Sequence, residues 1–251
     1  MAQDLENIGL AAVDEFINTF NSRNADQWAN SLNFPHVRPS PFGPVNVAET
    51  KEIYVDQASY DRIIDSGWDH TEWDYKRVIH TSSDKIHVAG QWSRYTKEGD
   101  KILTTPVVYV ITNNDNHWGI QSRFGCDYAG EDDTSGLESR AFNLLTTFVF
   151  QYNKKSEAVC RECLNYPHFE IGVGHLTRNA TLTDYSIGSE EIDIRSMVAL
   201  QTGKHSINVG MDITLIADSA NSDFQAVISI TDRDDHLGIQ AWSLLEPADV
   251  E

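Results

Sequence analysis

The fold of this chain is decided by two pentapeptides that match at four of five positions, Leu32-Asn33-Phe34-Pro35-His36 and Leu164-Asn165-Tyr166-Pro167-His168. A second repeated stretch follows each of them, His117-Trp118-Gly119-Ile120-Gln121 in the first half and His236-Leu237-Gly238-Ile239-Gln240 in the second. Separate stretches that recur in the same order are the signature of an internal repeat. The sequence therefore predicts two tandem copies of one domain.

The boundary between the copies falls in residues 130–136, an acidic stretch with the glycine and serine content of a linker. We predict a first domain over residues 1–129 and a second over residues 137–251. Between the repeated stretches, Trp73-Asp74-Tyr75-Lys76 aligns with Ile192-Asp193-Ile194-Arg195. The second copy is the shorter one, mainly between its Pro-His segment and its middle strands.

Each copy begins with helices and continues with strands. Apolar residues recur at three- and four-residue steps from Leu10 to Phe20, which predicts a long helix, and Asn24 is placed to cap a short second one. A third helix is predicted over residues 58–65. Alternating apolar residues then predict long strands, over residues 85–92, 102–112 and 117–124. Helices followed by a meander of strands favour an α+β domain.

One strand of each copy is apolar on both faces. Residues 107–111 read Val-Val-Tyr-Val-Ile, and residues 226–230 read Ala-Val-Ile-Ser-Ile. An antiparallel sheet with one face in water would alternate apolar and polar residues. The outer face must therefore be covered by the other copy or by another chain. We predict that the two copies pack sheet to sheet as an internal pseudo-dimer, and a homodimer stays open as well.

The composition excludes several classes of protein. Lys and Arg total 19 against 38 Asp and Glu, a net charge of −19, which repels phosphate backbones and anionic membranes. The sequence has no run of about 18 apolar residues, and its polar start is unlike a secretory signal. We expect a cytoplasmic protein without nucleic-acid or membrane partners. The cysteines Cys126, Cys160 and Cys163 form no disulfide framework. Cys160 and Cys163 have the spacing of a redox or zinc pair, but no second pair accompanies them, so we predict no metal site.

The order of elements resembles the nuclear transport factor 2-like superfamily, which includes ketosteroid isomerase and polyketide cyclases. The residues that carry the resemblance are Asn33-Phe34-Pro35-His36-Val37-Arg38, Trp92-Ser93-Arg94-Tyr95, Gly99 and His117-Trp118-Gly119-Ile120-Gln121. They cover nearly the whole first copy and, more faintly, the second. The resemblance implies tandem cone-shaped α+β domains, each with N-terminal helices, a Phe-Pro-His turn and a curved antiparallel sheet.

The resemblance also implies a range of functions. Relatives include isomerases, cyclases, hydratases, lyases and epoxide hydrolases, and others are pure binding or dimerisation modules. The enzymes generally place a carboxylate or His base, with Tyr or acidic donors, inside an apolar cone. Because one fold hosts unrelated chemistries, the resemblance leaves the reaction open.

The two copies differ in aromatic content. Five of the six tryptophans lie in the first copy, where the second has mostly Ile, Leu or Met. Aromatic rings with polar tips suit a pocket for a flat or cyclic ligand, whereas aliphatic side chains suit a filled core. We expect the ligand in the first cone, with Trp68, Trp73, Trp92 and Tyr95 as substrate-binding walls, and a mainly structural second domain. The alternative is that these rings are core.

Two histidines are candidate general bases, since a histidine titrates near neutral pH. His36 is one, but its repeat partner His168 favours a shared structural hydrogen bond instead. His70 is the other, and it lies in the segment 67–75, the densest in acid–base groups. The alternative for that segment is a solvated loop that leads into a strand.

Tyrosine and arginine supply the remaining candidates. Tyr54 and Tyr109 are able to donate to a developing oxyanion, or else they are packing residues. Arg38 suits the neutralisation of an anionic substrate group, and the second copy has Glu170 in its place. The alternative for Arg38 is a surface or ion-paired arginine.

Together these patterns predict a cofactor-independent enzyme of the lyase, isomerase or hydratase type, acting on an aromatic or cyclic small molecule in the first cone. His36 or His70 would be the base, Tyr54 or Tyr109 the donor, and Arg38 the anion clamp. The alternative is a non-catalytic ligand-binding or assembly module. A cavity of about 300 Å³ or more with converging His, Tyr and Arg side chains favours ligand chemistry, and a closed core favours assembly.

Overall fold

The computed structural model describes residues 2–217 and 220–247, and these form two units that each begin with two helices and contain six strands. The first unit has two more helices between its second and third strands. The helices of the first unit are α1 (Ala2–Asn21), α2 (Ala25–Ala29), α3 (Lys51–Gln57) and α4 (Asp61–Ile64), and its strands are β1 (Leu32–Arg38), β2 (Asn46–Ala48), β3 (His70–Thr81), β4 (Lys85–Tyr95), β5 (Lys101–Asn114) and β6 (His117–Gly125). The second unit comprises α5 (Ser135–Asn153), α6 (Glu157–Glu162), β7 (Leu164–Ile171), β8 (Leu176–Asn179), β9 (Glu191–Thr202), β10 (Ser206–Ile216), β11 (Asn221–Arg233) and β12 (His236–Leu245). Over the described ranges, none of the helices is both long enough and apolar enough to cross a membrane.

Each unit is one six-stranded sheet with its helices on one face. The strand order is β2-β1-β6-β5-β4-β3 in the first sheet and β8-β7-β12-β11-β10-β9 in the second, so the predicted repeat and the α+β class are confirmed. The sheets are mixed rather than wholly antiparallel, because β1 runs parallel to β6 and β7 runs parallel to β12. The predicted Phe34-Pro35-His36 turn is wrong, since these residues belong to β1.

Helices α1 and α2 cover one face of the first sheet. The apolar stripe of α1 is buried there, including Val13, Phe16 and Phe20. Helix α2 begins after Asn24, whose side-chain oxygen accepts a hydrogen bond from the Gln27 amide at 3.0 Å. This confirms the predicted N-cap, which satisfies one of the unpaired amides of the first turn.

The third helix predicted over residues 58–65 is confirmed only in part, because the helix in that range, α4, covers Asp61–Ile64 alone. Helix α3 begins earlier, after Thr50, whose hydroxyl accepts a hydrogen bond from the Ile53 amide at 3.4 Å. The backbone of Ala58 is extended and ends α3, and a short α4 follows. The capped helix α3 therefore lies before residues 58–65, and these begin with an extended residue followed by one short helix. Apolar spacing alone predicts one helix over the whole range.

Strand pairing shifts the alignment of the two copies by two residues in β3 and β4. Trp73 pairs with Trp92, and Ile194 pairs with Ile213 at the same place in the second sheet. Trp73 therefore corresponds to Ile194, and the sequence alignment with Ile192 is wrong. The connection between the fourth and fifth strands is longer in the first unit, which accounts for the shift.

The outer faces of the two sheets pack against each other. Val108, Val110 and Phe124 of the first sheet are fully buried against Phe169 and Val227 of the second. This confirms the predicted packing of the copies as an internal pseudo-dimer. Burial of each such side chain contributes roughly 1.5–3 kcal/mol, so neither sheet is stable with its outer face in water.

Two polar pairs lie in this interface at corresponding places. The Nδ1 atoms of His80 and His87 are 3.1 Å apart. The corresponding pair in the second unit is Gln201 and Asn208, and the Asn208 side-chain amide donates to Gln201 Oε1 at 2.9 Å. His87 also reaches the other unit, with Nε2 2.9 Å from Ser243 Oγ. The interface therefore contains a titratable pair on one side and a neutral amide pair on the other.

Burial controls the charge of the histidine pair. It lowers the pKa of His80 to about 4, although the nearby Asp212 carboxylate acts in the opposite direction. Burial also lowers the pKa of His87 well below its usual value, and the positive charges of a protonated His80 and of Lys85 add to this. Both imidazoles are therefore neutral in the folded protein at neutral pH.

We expect the histidine pair to make folding sensitive to acid. As the pH falls from about 6.5 to about 4, the unfolded chain binds protons that the folded chain does not, so stability is lost in that window. The variant His80→Gln/His87→Asn copies the amide pair of the second unit. Its free energy of unfolding should fall less than that of the wild type between pH 7 and pH 5, by about 1–2 kcal/mol. Urea unfolding at both pH values measures this, and an equal fall in both proteins contradicts it.

Candidate functional site

A cavity of about 830 Å³ lies in the first unit, between α1, α3 and the sheet. Five of the residues proposed from the sequence line it: His36, Arg38, Tyr54, Trp92 and Tyr109. The volume is within the range of roughly 300–1,000 Å³ usual for ligand pockets. Histidine, tyrosine and arginine side chains therefore meet at one cavity.

Two of the proposed residues, His70 at the start of β3 and Tyr95 at the end of β4, form a pair outside the cavity lining. The His70 ring stacks on Tyr95 with centroids 5.5 Å apart, and its Nδ1 lies 3.0 Å from Asp69 Oδ2. Its Nε2 lies 3.5 Å from Glu72 Oε1. Despite these acids, no group of three His, Cys, Asp or Glu side chains in the described part of the chain is arranged to hold a metal ion.

Two of the proposed tryptophans lie behind the cavity wall. Trp68 is buried, and its indole N–H donates to Thr71 Oγ1 at 3.0 Å. Trp73 packs edge-on against Tyr109 with centroids 5.8 Å apart. Gly90 makes room for that ring, because a Cβ there would lie 2.8 Å from Trp73. These indoles support lining residues and do not face the cavity themselves.

Strand β1 places His36 in the cavity wall. Its Nδ1 is 3.0 Å from the Ile120 carbonyl oxygen and donates to it, so Nε2 is the unprotonated nitrogen. Nε2 is buried and has no hydrogen-bond partner among the described residues. Burial lowers the pKa of His36 well below its usual value, and the charges of Arg123 and Arg38 add to this, while the Ile120 hydrogen bond opposes it. His36 is therefore a neutral imidazole whose Nε2 is a buried, unpaired acceptor in the cavity wall.

The two tyrosines approach the cavity from opposite sides. Tyr54 comes from α3, and its hydroxyl lies 3.5 Å from Arg123 Nη2. Burial raises the pKa of Tyr54, although Arg123 and Arg38 act in the opposite direction. Tyr109 comes from β5 and is fully buried, which raises its pKa, with the Trp92 indole beside its hydroxyl. Both hydroxyls keep their protons and are able to act as donors.

Arg62, Arg94 and Arg123 also line the cavity, and none of them is among the site residues predicted from the sequence. Arg94 and Arg123 are the two that pack on aromatic rings. The guanidinium carbon of Arg123 lies 4.8 Å from the ring centroid of Phe16 and 5.6 Å from that of Trp28. The guanidinium carbon of Arg94 lies 5.3 Å from the ring centroid of Phe20 and 5.2 Å from that of Trp92. The Nε atoms of both are buried without a hydrogen-bond partner among the described residues. Contacts with ring faces hold the guanidinium groups in place.

Four arginines line the cavity against one carboxylate, that of Asp127, which accepts hydrogen bonds from the backbone amides of Lys204 and His205. Within the described ranges, none of Arg38, Arg94 and Arg123 forms an ion pair. The charge of Arg123, followed by desolvation, lowers the pKa of Arg38 to about 10, although Arg38 reaches solvent at the mouth. Burial and then the charge of Arg123 lower the pKa of Arg94 to about 10. The protein as a whole has a net charge of −19, so this cluster is a local exception.

A β-bulge explains why the strand pattern hides Arg123. The register of β6 against β5 shifts just after Ile120, so Ile120 and Arg123 face the same side of the sheet. Strict alternation would place Ile120 and Ser122 on one face of the sheet and Arg123 on the other. The repeat held the one useful signal, since the counterpart of Arg123 in the second copy is the large apolar Trp242.

The corresponding place in the second unit is filled by side chains. Trp242 lies edge-on to His168 with centroids 4.3 Å apart, and it also contacts Phe148 and Tyr185 at 5.7 and 6.2 Å. The counterparts of Arg38, Arg94 and Arg123 are Glu170, Leu215 and Trp242. The same framework therefore holds a cationic cavity in one unit and a filled core in the other.

Residues 10–125 match a family model described as NTF2-like protein (DUF6841). Solved structures that are similar include NTF2-like proteins of unknown function from Pseudomonas putida, with 7% identity over 48% of this chain and 93% of that one and a TM-score of 0.39, and from Shewanella oneidensis, with 14% identity over 45% and 98% and a TM-score of 0.35. The association domain of C. elegans CaMKII has 6% identity over 44% of this chain and 96% of its own, with a TM-score of 0.37. No curated protein matches this chain.

We expect the unpaired charge of Arg123 to reduce stability. Arg123 as a whole residue is only 8% exposed, and replacement of a buried charge by an apolar side chain of similar volume often stabilises a protein. The variant Arg123→Met should raise the free energy of unfolding by about 1 kcal/mol or more. Arg77→Met, at an exposed arginine of β3, is the matched control and should change little. A loss of stability in Arg123→Met would show that the cluster supports the fold.

Proposed function

From the premise that residues 10–125 form an NTF2-like domain, we propose that its cavity binds a small organic anion with a flat aromatic or cyclic body and acts on it without a cofactor. The observation that carries the proposal is the cluster of Arg38, Arg94 and Arg123 on one cavity, without an ion pair among the described residues. A buried charge without a partner is costly. A bound carboxylate or similar anion offsets that cost through charge-assisted hydrogen bonds.

The cavity also suits the body of such a ligand. Phe16, Phe20, Trp28 and Trp92 line it, and their rings already pack against the guanidinium groups. Flat rings bind well to aromatic walls, where the quadrupoles of the rings favour stacked and edge-on contacts. Aromatic walls with cationic ends therefore favour an aromatic or cyclic anion over a compact inorganic one.

The lining residues support proton-transfer chemistry of the lyase, isomerase or hydratase type. The buried Nε2 of His36 is an acceptor for a proton from a carbon next to a carbonyl group. Transfer of that proton leaves an enolate, whose oxygen carries the developing negative charge. The guanidinium groups then stabilise this oxygen, and the Tyr54 or Tyr109 hydroxyl donates to it.

The remaining residues proposed from the sequence form or support the cavity wall, or lie outside it. Trp92 forms part of the wall, and Trp68 and Trp73 support it from behind. His70 and Tyr95 form their own stacked pair at the edge of the sheet. We therefore propose His36, rather than His70, as the base.

The second candidate function is ligand binding without catalysis. One observation favours it: His168 of the second unit repeats the hydrogen bond of His36, with Nδ1 3.1 Å from the Ile239 carbonyl oxygen. A histidine that is present in the filled unit has a structural role there, and His36 shares that role. Under this alternative, the arginine cluster and the aromatic walls bind a ligand that leaves unchanged.

A pair of probes that differ in charge tests the binding proposal. 8-Anilinonaphthalene-1-sulfonate is a flat aromatic anion, and N-phenyl-1-naphthylamine has the same body without the sulfonate. We expect Arg94→Met/Arg123→Met to weaken binding of the anion by about 10- to 100-fold, because charge-assisted hydrogen bonds are lost. Binding of the neutral probe should change much less. Fluorescence titration measures both, with Arg77→Met as the control.

Equal affinities of the wild type and the double variant for the anion would refute the proposed anion site. An equal loss for both probes would instead indicate that the substitutions damage the aromatic walls. The two probes therefore separate the role of charge from the role of shape, which a single ligand does not do.

A matched pair of histidine variants tests the catalytic part. Phenylpyruvate is an aromatic carboxylate with an acidic C–H bond, and proton NMR in D₂O follows exchange of that proton. We expect the protein to accelerate exchange, and His36→Gln to lower the acceleration by about 100-fold or more, within the range for loss of a general base. His168→Gln, which removes the same hydrogen bond in the filled unit, should leave it unchanged. Equal effects of both substitutions, or no acceleration at all, favour binding without catalysis.

A further inference from the structure

The loop between β1 and β2, residues 39–45, crosses the mouth of the N-terminal cavity. It contains Pro39, Pro41 and Pro44, and each proline restricts the backbone. Residues 39–42 line the cavity, yet the side chain of Phe42 is 62% exposed. An aromatic ring that borders a cavity on one side and solvent on the other is placed to close it.

The second unit holds this loop from outside. Arg233 Nη2 donates a hydrogen bond to the Gly43 carbonyl oxygen at 2.9 Å, and Arg233 Nη1 donates to Gln240 Oε1 at 2.9 Å. The Phe42 ring lies edge-on to the His205 imidazole, with centroids 5.6 Å apart. Two side chains of the second unit therefore contact the two loop residues at the cavity mouth.

The turn that carries His205 is itself fixed to the cavity wall. Asp127 lines the cavity, and its carboxylate accepts hydrogen bonds from the backbone amides of Lys204 and His205 at 2.9 and 3.0 Å. The Ser206 hydroxyl donates to the same carboxylate at 2.5 Å. The position of His205 is thus tied to the wall that Phe42 faces.

The corresponding loop of the second unit differs. Residues 172–175 connect β7 to β8, and they contain none of the prolines or aromatic residues of the first loop. The Gly174 amide donates to Gln121 Oε1 of the first unit at 3.1 Å. Both loops therefore contact the opposite unit, but only the loop of the first unit has an aromatic ring to place over a cavity.

We propose that residues 39–45 are a lid over the N-terminal cavity, and that Arg233 and His205 of the second unit are positioning residues that hold it closed. This inference rests on the binding function proposed above. It gives the filled second unit a role in the site, because the cavity mouth is complete only when the second unit is packed against the first. A ligand leaves when these two contacts open.

The rate at which an aromatic anion leaves the full-length protein tests the lid. Stopped-flow fluorescence gives the dissociation rate of 8-anilinonaphthalene-1-sulfonate from the wild type and from Arg233→Gln, His205→Ala and Phe42→Ala. We expect each substitution to speed dissociation by about three- to tenfold, the range for one lost contact. Arg195→Gln, at an arginine of β9 whose side chain is 61% exposed, should match the wild type. Melting temperatures should stay unchanged, which a merely structural role would not predict.

The coupling between lid and support gives the decisive comparison. If His205 acts by holding Phe42, the double variant Phe42→Ala/His205→Ala should release the probe no faster than Phe42→Ala alone. Wild-type release rates in all the single variants, with binding still lost in Arg94→Met/Arg123→Met, would overturn the lid and leave the anion site standing. Binding that does not depend on those arginines would overturn both.

Discussion

The packing of the two sheets through their outer faces is the constraint on which the rest of the structure depends. Val108 and Val110 point away from the helices of their own unit, so the sheet is apolar on both sides. A sheet of this kind needs a cover on each face. The helices provide one cover and the second unit provides the other, which makes the tandem copy a requirement of folding and not an appendage.

This packing leaves the helix-covered faces free to diverge. The histidine of β1 keeps its hydrogen bond to the backbone of the last strand in both units, at 3.0 Å for His36 and 3.1 Å for His168. Around that fixed element, the first unit has Arg123 where the second has Trp242. Together with Arg38 against Glu170 and Arg94 against Leu215, this difference separates a cationic cavity from a filled core beside the same histidine.

The sequence predicts the framework well because repeats, strand alternation and two-sided apolar strands are periodic signals. The repeated pentapeptides identify the two units, and the Val-Val-Tyr-Val-Ile strand predicts their packing. The site is harder to predict, because it depends on breaks in periodicity. The bulge after Ile120 brings Arg123 to the cavity face, and the cap at Thr50 moves Tyr54 into a helix of its own. The bulge depends on pairing between strands and the cap on one polar side chain, so the apolar periodicity encodes neither of them.

The arginine cluster that the bulge brings to the cavity has a cost in stability, which the rest of the structure offsets. Arg123 is the most buried of the cations at the cavity and has no ion pair among the described residues, and a buried charge of this kind opposes folding. The cluster is tolerated because aromatic rings hold Arg94 and Arg123 in place, and because the sheet behind them is locked by the second unit. A site that costs stability needs a rigid support that supplies it. The second unit packs against that sheet and so provides the support, and Trp242 fills its own corresponding space.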